Sequence, residues 1–267
     1  MLRVHDLHQV PDILLFRGVM MAHYIRRLVT VLSVGVVLTL GSLTLAAQQA
    51  QQAWPTVANR EIRPPSVWEE TIAKFEAADR TSPPPTDGVV FIGASSIVRW
   101  KLPEYFPELG ASAINRGFGG SLAADSTYYA DRIVIPYKPR IVVFYAGDND
   151  VETPTRPEQI AASFSEFDQK VHTALPDTKI IFIAIKPSLR RFAFMDKIRA
   201  ANGLVKDYIS KHKNLLYMDI VPQMLNAEGK PRPELLVADG LHMSPEGYKI
   251  WTAALKPLLK LGTDSQD

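Results

Sequence analysis

The chain has 267 residues, of which 46% are hydrophobic, and 30 basic residues nearly balance 28 acidic ones to leave a formal net charge of +2. This length and hydrophobic content allow a full core. The charge balance gives no electrostatic footprint for nucleic acid. Because the chain contains no cysteine, disulfides, thiolate metal sites and cysteine nucleophiles are excluded.

The N-terminal region has the pattern of an export signal. Arg26 and Arg27 precede an uncharged apolar run over residues 28–47, and a glutamine-rich stretch follows. This pattern predicts a signal peptide within an N-terminal extension of residues 1–47. A run of this length is also long enough to stay uncleaved as a membrane anchor. We therefore expect an exported protein, periplasmic or secreted, whose only membrane contact would be an anchor over residues 28–47.

The rest of the chain divides into a linker, a folded domain and a short tail. Residues 48–65 are rich in Gln, Ala, Pro and Arg without a period, which predicts a linker. The domain is expected over residues 66–262, with a tail of residues 263–267. Ser66 and Glu69 have the spacing of a capping box at the start of a first helix, and three prolines after Ser82 predict the end of that helix.

Five short apolar runs alternate with helical patterns along the domain. One of the helices carries Ile160, Phe164, Phe167 and Val171 on a single face. Strands that are apolar throughout and alternate with amphipathic helices predict a parallel sheet that is covered on both faces. The fold class is therefore α/β, a three-layer α/β/α sandwich with a five-stranded parallel sheet. The predicted strands span residues 88–92, 112–115, 140–145, 179–185 and 215–220.

Residues able to do chemistry follow the predicted strands, at the edge where ligands bind in such sheets. Ser95 follows the first strand, and Asp239 and His242 lie three apart on the last loop. A serine hydroxyl is a weak nucleophile until an imidazole takes its proton, and a carboxylate must hold that imidazole in the right tautomer. The oxyanion of an acyl transfer also needs N–H donors. Candidates are the backbone of Ser95 and Gly120 and the side chain of Asn149.

In order and spacing, these segments resemble the four blocks of the SGNH (GDSL-like) hydrolases. Ser95 matches the block I serine, Gly120 the block II glycine and Asn149 the block III asparagine, while Asp239 and His242 match the D-x-x-H of the last block. The resemblance implies a flavodoxin-like fold and ester hydrolysis through a Ser-His-Asp triad and an acyl-enzyme, with no cofactor and no metal.

Two details refine this resemblance. The family's G-D-S is Gly93-Ala94-Ser95 here, so the block I aspartate, which is not a triad member in the family, is missing. Trp100 and the Phe118-Gly119-Gly120 segment are similar to a bacterial branch related to platelet-activating-factor acetylhydrolase subunits and carbohydrate acetylesterases. That similarity favours short acyl groups on small-molecule or saccharide esters.

Several alternative interpretations of single residues stay open. Ser95 could only cap the following helix, Ser96 is a neighbouring candidate nucleophile, and Asp239 with Gly240 has the pattern of an ordinary turn. The segment after the fourth strand carries Lys186, Arg190 and Arg191. A solvated loop is favoured there over contact between these arginines and a substrate.

Three aspartates near the ends of the strands are interpreted as structural hydrogen-bond acceptors. They are Asp125, Asp148 and Asp150.

Two other functions are also open. A metal-dependent phosphoesterase would use oxygen and nitrogen ligands that suit Mn or Zn, and a non-catalytic exported binding module would keep the fold without turnover. The candidate ligands for the metal are Asp148, Asn149, Asp150, Asp239 and His242.

Overall fold

The computed structural model describes residues 60–260. The predicted N-terminal extension with its export segment, most of the predicted linker and the tail of residues 263–267 lie outside the described residues. Between residues 60 and 260, no helix is long and apolar enough to span a membrane.

Five strands form one sheet: β1 (Val89–Gly93), β2 (Ala113–Gly117), β3 (Ile141–Tyr145), β4 (Lys179–Ile183) and β5 (Leu215–Met218). All are parallel and lie in the order β2-β1-β3-β4-β5. Strands β1 and β3 are near its centre, and every residue of both is buried. Gly93 at the end of β1 is level with Gly117 on one neighbour and Tyr145 on the other, so these three strands end at the same edge.

Helices cover both faces of the sheet, as the predicted three-layer sandwich requires. The helices are α1 (Glu69–Thr81), α2 (Ser95–Val98), α3 (Leu102–Tyr105), α4 (Ala123–Ile133), α5 (Pro157–Ala174), α6 (Met195–Ile209), α7 (Val221–Met224) and α8 (Pro245–Lys260). Val90 and Phe144 pack with α1, α4, α5 and α6, whereas Phe91 and Tyr145 pack with α2, α3, α7 and α8. The predicted fold class is confirmed.

The first helix begins differently from the sequence prediction. A 3₁₀ turn over Pro65–Trp68 precedes α1, and the residue that caps α1 is Trp68, without a side-chain hydrogen bond. The capping box predicted for Ser66 and Glu69 is therefore wrong, because two prolines before Ser66 favour a tighter 3₁₀ turn at this point. Residues 60–65, which the sequence assigns to a linker, contact the folded domain.

Candidate active site

The turn after β1 places Ser95 at the edge of the sheet. Gly93 has a φ of +138°, and a Cβ on it would lie 1.8 Å from the carbonyl oxygen of Tyr145. Only glycine permits this close approach. The next residue, Ala94, donates its N–H to the same oxygen at 3.0 Å and has extended backbone, so that Ser95 becomes the first residue of α2.

Ser95, His242 and Asp239 form a continuous hydrogen-bonded chain. The Nε2 atom of His242 lies 3.0 Å from Oγ of Ser95, and its Nδ1 atom lies 2.6 Å from Oδ2 of Asp239. An ionised carboxylate can only accept, so Nδ1 carries the hydrogen in the neutral ring, and Nε2 is left to accept the serine proton. The arrangement can therefore activate a serine hydroxyl.

Backbone donors fix the loop that carries Asp239. Its Oδ1 atom accepts the N–H groups of Leu241 and His242 at 2.9 Å each. Burial would raise the pKa of Asp239, but the hydrogen bonds from His242 and Leu241 outweigh it and lower this pKa to about 2. The carboxylate is thus ionised at neutral pH, as an acceptor for the imidazole N–H must be.

The geometry also bears on the alternatives for the two serines. The residue that caps α2 is Ala94, and Ser95 is the first residue of the helix. The hydroxyl of Ser95 faces His242. Ser96 is 1% exposed, and its Oγ atom has no hydrogen-bond partner within residues 60–260. The structure therefore brings Ser95, and not Ser96, to the imidazole.

The two other candidate oxyanion residues lie next to each other on the loops after β2 and β3. A Cβ on Gly119 would contact Cβ of Ser95 at 3.9 Å, and Gly120 adopts a positive φ of +83°. The buried side chain of Asn149 donates from Nδ2 to the carbonyl oxygen of Ser121 at 2.9 Å. The loop that contacts Ser95 thus also holds the amide of Asn149.

The segment after β4 is not a solvated loop. Lys186 is 1% exposed and Arg191 2% exposed, because both pair with Oδ2 of Asp148, at 2.7 and 3.1 Å. Burial would raise the pKa of Asp148, but these two cations hold it well below its usual range. The solvated loop predicted for this segment is therefore wrong for these two residues, since a buried carboxylate from the β3 loop compensates their charge.

The two candidate substrate-binding arginines have different surroundings. Arg191 donates from Nη2 to Oε2 of Glu152 at 2.8 Å and to Oδ1 of Asn149 at 2.9 Å. Arg190 is half-buried, with Nε 3.7 Å from Oε1 of Glu152, and its backbone N–H donates to the carbonyl oxygen of Gly240 at 3.0 Å. Arg191 thus touches a candidate oxyanion residue, whereas Arg190 supports the Asp239 loop.

Arg60 also reaches this site, and the sequence prediction missed it. Its Nη1 atom donates to Oδ1 of Asn149 at 2.7 Å and its Nη2 atom to the carbonyl oxygen of Gly120 at 2.5 Å. These partners are 89 and 60 residues away along the chain. No local pattern around Arg60 signals such contacts, which only the fold brings together.

The candidate metal ligands are engaged elsewhere. Asp148 pairs with Lys186, Asp239 with His242, and Asp150 accepts the N–H of Ala123 at 3.1 Å. Burial raises the pKa of Asp150 to about 7. Among residues 60–260, no group of three or more His, Asp or Glu side chains is arranged to hold a metal ion.

Solved structures share this fold. A Streptococcus pneumonia protein assigned provisionally as a platelet activating factor superimposes with a TM-score of 0.64 at 22% identity, covering 72% of this chain and 92% of that one. A GDSL-like lipase from Bacteroides thetaiotaomicron VPI-5482 has a TM-score of 0.63 at 21% identity, covering 71% of this chain and 97% of that one. A carbohydrate esterase family 3 protein from Talaromyces cellulolyticus has a TM-score of 0.56 at 20% identity, covering 67% of this chain and 99% of that one.

The sequence comparisons define the family. No curated protein matches the chain. The profile of the GDSL-like lipase/acylhydrolase family matches residues 86–250, a range that includes the turn after β1, the loops after β2 and β3 and the loop before α8. The chain therefore belongs to the GDSL-like lipase/acylhydrolase family and is an ester-hydrolysing enzyme.

Proposed function

We propose that this enzyme hydrolyses short-chain acyl esters through an acyl-enzyme, with Ser95 as nucleophile, His242 as general base and Asp239 as the residue that orients the base. The observation that carries the proposal is the hydrogen-bonded chain from Oγ of Ser95 through His242 to Asp239, with distances of 3.0 and 2.6 Å. Both distances are within the range that proton transfer requires.

The first half of the reaction forms the acyl-enzyme. Oγ of Ser95 attacks the ester carbonyl carbon while Nε2 of His242 takes the hydroxyl proton, and Asp239 stabilises the resulting imidazolium. The carbonyl oxygen becomes an oxyanion, which the N–H groups of Ser95, Gly120 and Asn149 would stabilise. The intermediate then collapses, and His242 returns the proton to the departing alcohol.

The second half releases the acid. Water attacks the acyl carbon and gives its proton to Nε2 of His242, and the same donors would stabilise the second oxyanion. Collapse of this intermediate breaks the bond to Oγ of Ser95, which takes the proton back from His242. These steps need only side chains and backbone N–H groups of this chain and a water molecule.

Small-molecule and saccharide esters are the proposed substrates. The similarity to a carbohydrate esterase in fold supports a saccharide ester, and the Phe118-Gly119-Gly120 segment supports a short acyl group through its resemblance to acetylhydrolases.

Hydrolysis of p-nitrophenyl acetate by the full-length chain tests the proposal. We expect Ser95→Ala to lower kcat by orders of magnitude, since loss of the triad nucleophile costs about 10⁶-fold in a serine protease. Ser96→Ala is the matched control and keeps turnover, because the hydroxyl of Ser96 does not contact the imidazole. Activity that persists in Ser95→Ala, or that EDTA abolishes in the unmodified chain, would contradict the proposal and favour the metal-dependent phosphoesterase.

A further inference from the structure

Residues 60–68, here called the N-terminal strap, pack beside the candidate oxyanion residues. The rings of Trp68 and Phe118 meet edge to face at 5.8 Å, and the hydroxyl of Tyr129 donates to the carbonyl oxygen of Pro65 at 2.7 Å. At the other end of the strap, the N–H of Arg60 donates to the carbonyl oxygen of Glu152 at 2.9 Å. The strap is thus fixed to three different parts of the domain, and Arg60 has a defined position.

The guanidinium of Arg60 bridges the loops after β2 and β3. One of its nitrogens donates to the carbonyl oxygen of Gly120 and the other to Oδ1 of Asn149. A guanidinium presents its donors in a planar, fixed fork. Arg60 therefore sets the distance between the two loops that carry the candidate oxyanion donors, and it restrains the positive-φ conformation of Gly120.

The amide oxygen of Asn149 accepts from two arginines. Arg191 donates to it at 2.9 Å and Arg60 at 2.7 Å, so both acceptor positions of this oxygen are used and the amide cannot rotate by half a turn without losing both bonds. Its Nδ2 group keeps one hydrogen on Ser121 and has a second hydrogen to offer. The two arginines that bind the amide oxygen therefore fix the orientation of this N–H donor.

The two arginines differ in how their charge is compensated. Arg191 pairs with Asp148 and Glu152, whereas Arg60 forms no ion pair within residues 60–260 and donates to uncharged oxygens. A positive charge behind Asn149 strengthens its N–H groups as donors to a developing anion, since hydrogen bonds in a chain polarise one another.

We infer that Arg60 is a positioning residue of the oxyanion hole, which acts on the transition state through Asn149 and Gly120 without touching the substrate. The inference rests on the proposed function, because it takes Ser95 as the nucleophile and these two residues as the donors. It adds to the active site a residue that precedes the stretch matched by the family profile, residues 86–250.

Steady-state hydrolysis of p-nitrophenyl acetate by full-length variants tests this inference. Direct removal of an oxyanion donor costs about 10²–10³-fold in kcat, so Arg60→Ala, which only loosens a donor, is expected to lower kcat by about 10–100-fold. KM should change by less than about threefold, because an interaction made in the transition state affects kcat. Arg60→Lys should restore only part of the loss, since an ammonium lacks the planar fork.

Arg63→Ala is the matched control. Arg63 belongs to the same strap, is exposed and lies over the ring of Trp68 at 4.7 Å. Because Arg63 makes no hydrogen bond to Gly120 or Asn149 within residues 60–260, its loss should leave kcat within about twofold. Thermal unfolding of each variant shows whether the domain remains folded. If Arg60→Ala does not fold, Arg60→Lys carries the comparison.

A double-mutant cycle separates positioning from a general structural role. In an Asn149→Ala background the substitution Arg60→Ala should cost less than about threefold in kcat, because residues that act as a unit are not additive. An equal cost in both backgrounds would overturn the inference. So would a kcat of Arg60→Ala within twofold of the unmodified chain while Ser95→Ala is inactive, although the proposed function would then stand. Activity retained by Ser95→Ala would instead overturn the proposed function and this inference with it.

Discussion

Gly93 determines how closely the turn that carries Ser95 approaches the neighbouring strand. Its positive φ and the 1.8 Å that would separate a Cβ from the carbonyl oxygen of Tyr145 leave no room for a side chain. Glycine is therefore required by two independent constraints, one on the backbone dihedral and one on space.

A Gly93→Ala substitution should consequently destabilise the domain. We expect a loss of about 3 kcal/mol in the free energy of unfolding, at the upper end of the usual range for single substitutions. Urea denaturation measures this loss. Gly203→Ala is the control, since Gly203 lies within α6 and a Cβ there meets no atom within 4 Å. Equal stability of the two variants would contradict this account of Gly93.

At the residue scale, the sequence predicts which side chains meet but not what fixes them. Ser95, Asp239 and His242 could be named because each follows a predicted strand or lies on one loop, and the parallel strands bring those positions to one edge. Arg60 could not, because its contacts depend on how a non-repetitive segment folds back onto two distant loops. Its place in the site is a property of the tertiary structure alone.

At the element scale, the loops after β3 and β4 are joined by a buried ion-pair network. Lys186 and Arg191 share one oxygen of Asp148, and Lys186 also lies 3.2 Å from the hydroxyl of Tyr145. Burial lowers the pKa of Lys186, and Asp148 opposes that shift. The lysine and the carboxylate therefore depend on each other for their charge.

Removal of this lysine should be costly. Lys186→Met removes one of the two cations that pair with Asp148, together with its charged hydrogen bond, so it is expected to lower the free energy of unfolding by about 1.5–3 kcal/mol. Lys211→Met provides the control, because Lys211 and its partner Asp207 are both 64% exposed and such pairs contribute at most about 1 kcal/mol. Chemical denaturation measures the free energy of unfolding of both variants. A loss below about 1 kcal/mol in Lys186→Met would contradict the proposed role of the network.

The elements themselves were largely predictable. Apolar runs located all five strands, with ends that differ by at most two residues. The ends differ because a run of hydrophobic residues marks burial and not the last hydrogen bond of a ladder. Local sequence patterns did not predict the burial of polar side chains whose partners are distant along the chain. Lys186 and Arg191 have polar side chains and were expected in solvent, but Asp148, 38 residues from Lys186, makes their burial stable.

At the scale of the whole molecule, the stability of the fold should depend on pH through His172, on the face opposite α8. Both ring nitrogens face acceptors, Nδ1 a carboxylate oxygen of Asp168 and Nε2 the carbonyl oxygen of Thr178 at 2.8 Å. Both can donate only in the imidazolium form. The hydrogen bond to Asp168 accordingly raises the pKa of His172, although burial opposes the rise.

The sign of this dependence follows from the raised pKa. The folded state binds the proton more tightly than the unfolded state, so the stabilisation is fully present below the unfolded value of about 6.5 and is lost as the pH rises through the folded pKa. His172→Ala should therefore lower the free energy of unfolding more at about pH 5.5 than at about pH 9. Denaturation at the two pH values measures the difference, and an equal loss at both would show that the imidazolium contributes nothing.

Labelling with a serine-directed fluorophosphonate shows whether Ser95 is the nucleophile that His242 activates. The full chain is labelled, and the adduct is located by mass spectrometry. Ser95 lies in a tryptic peptide of residues 81–99 together with Ser82 and Ser96, so fragmentation must assign the modified hydroxyl. We expect a single adduct, on Ser95, which forms more slowly in His242→Ala and does not form in Ser95→Ala. An adduct on Ser96, or labelling that persists in Ser95→Ala, would contradict it.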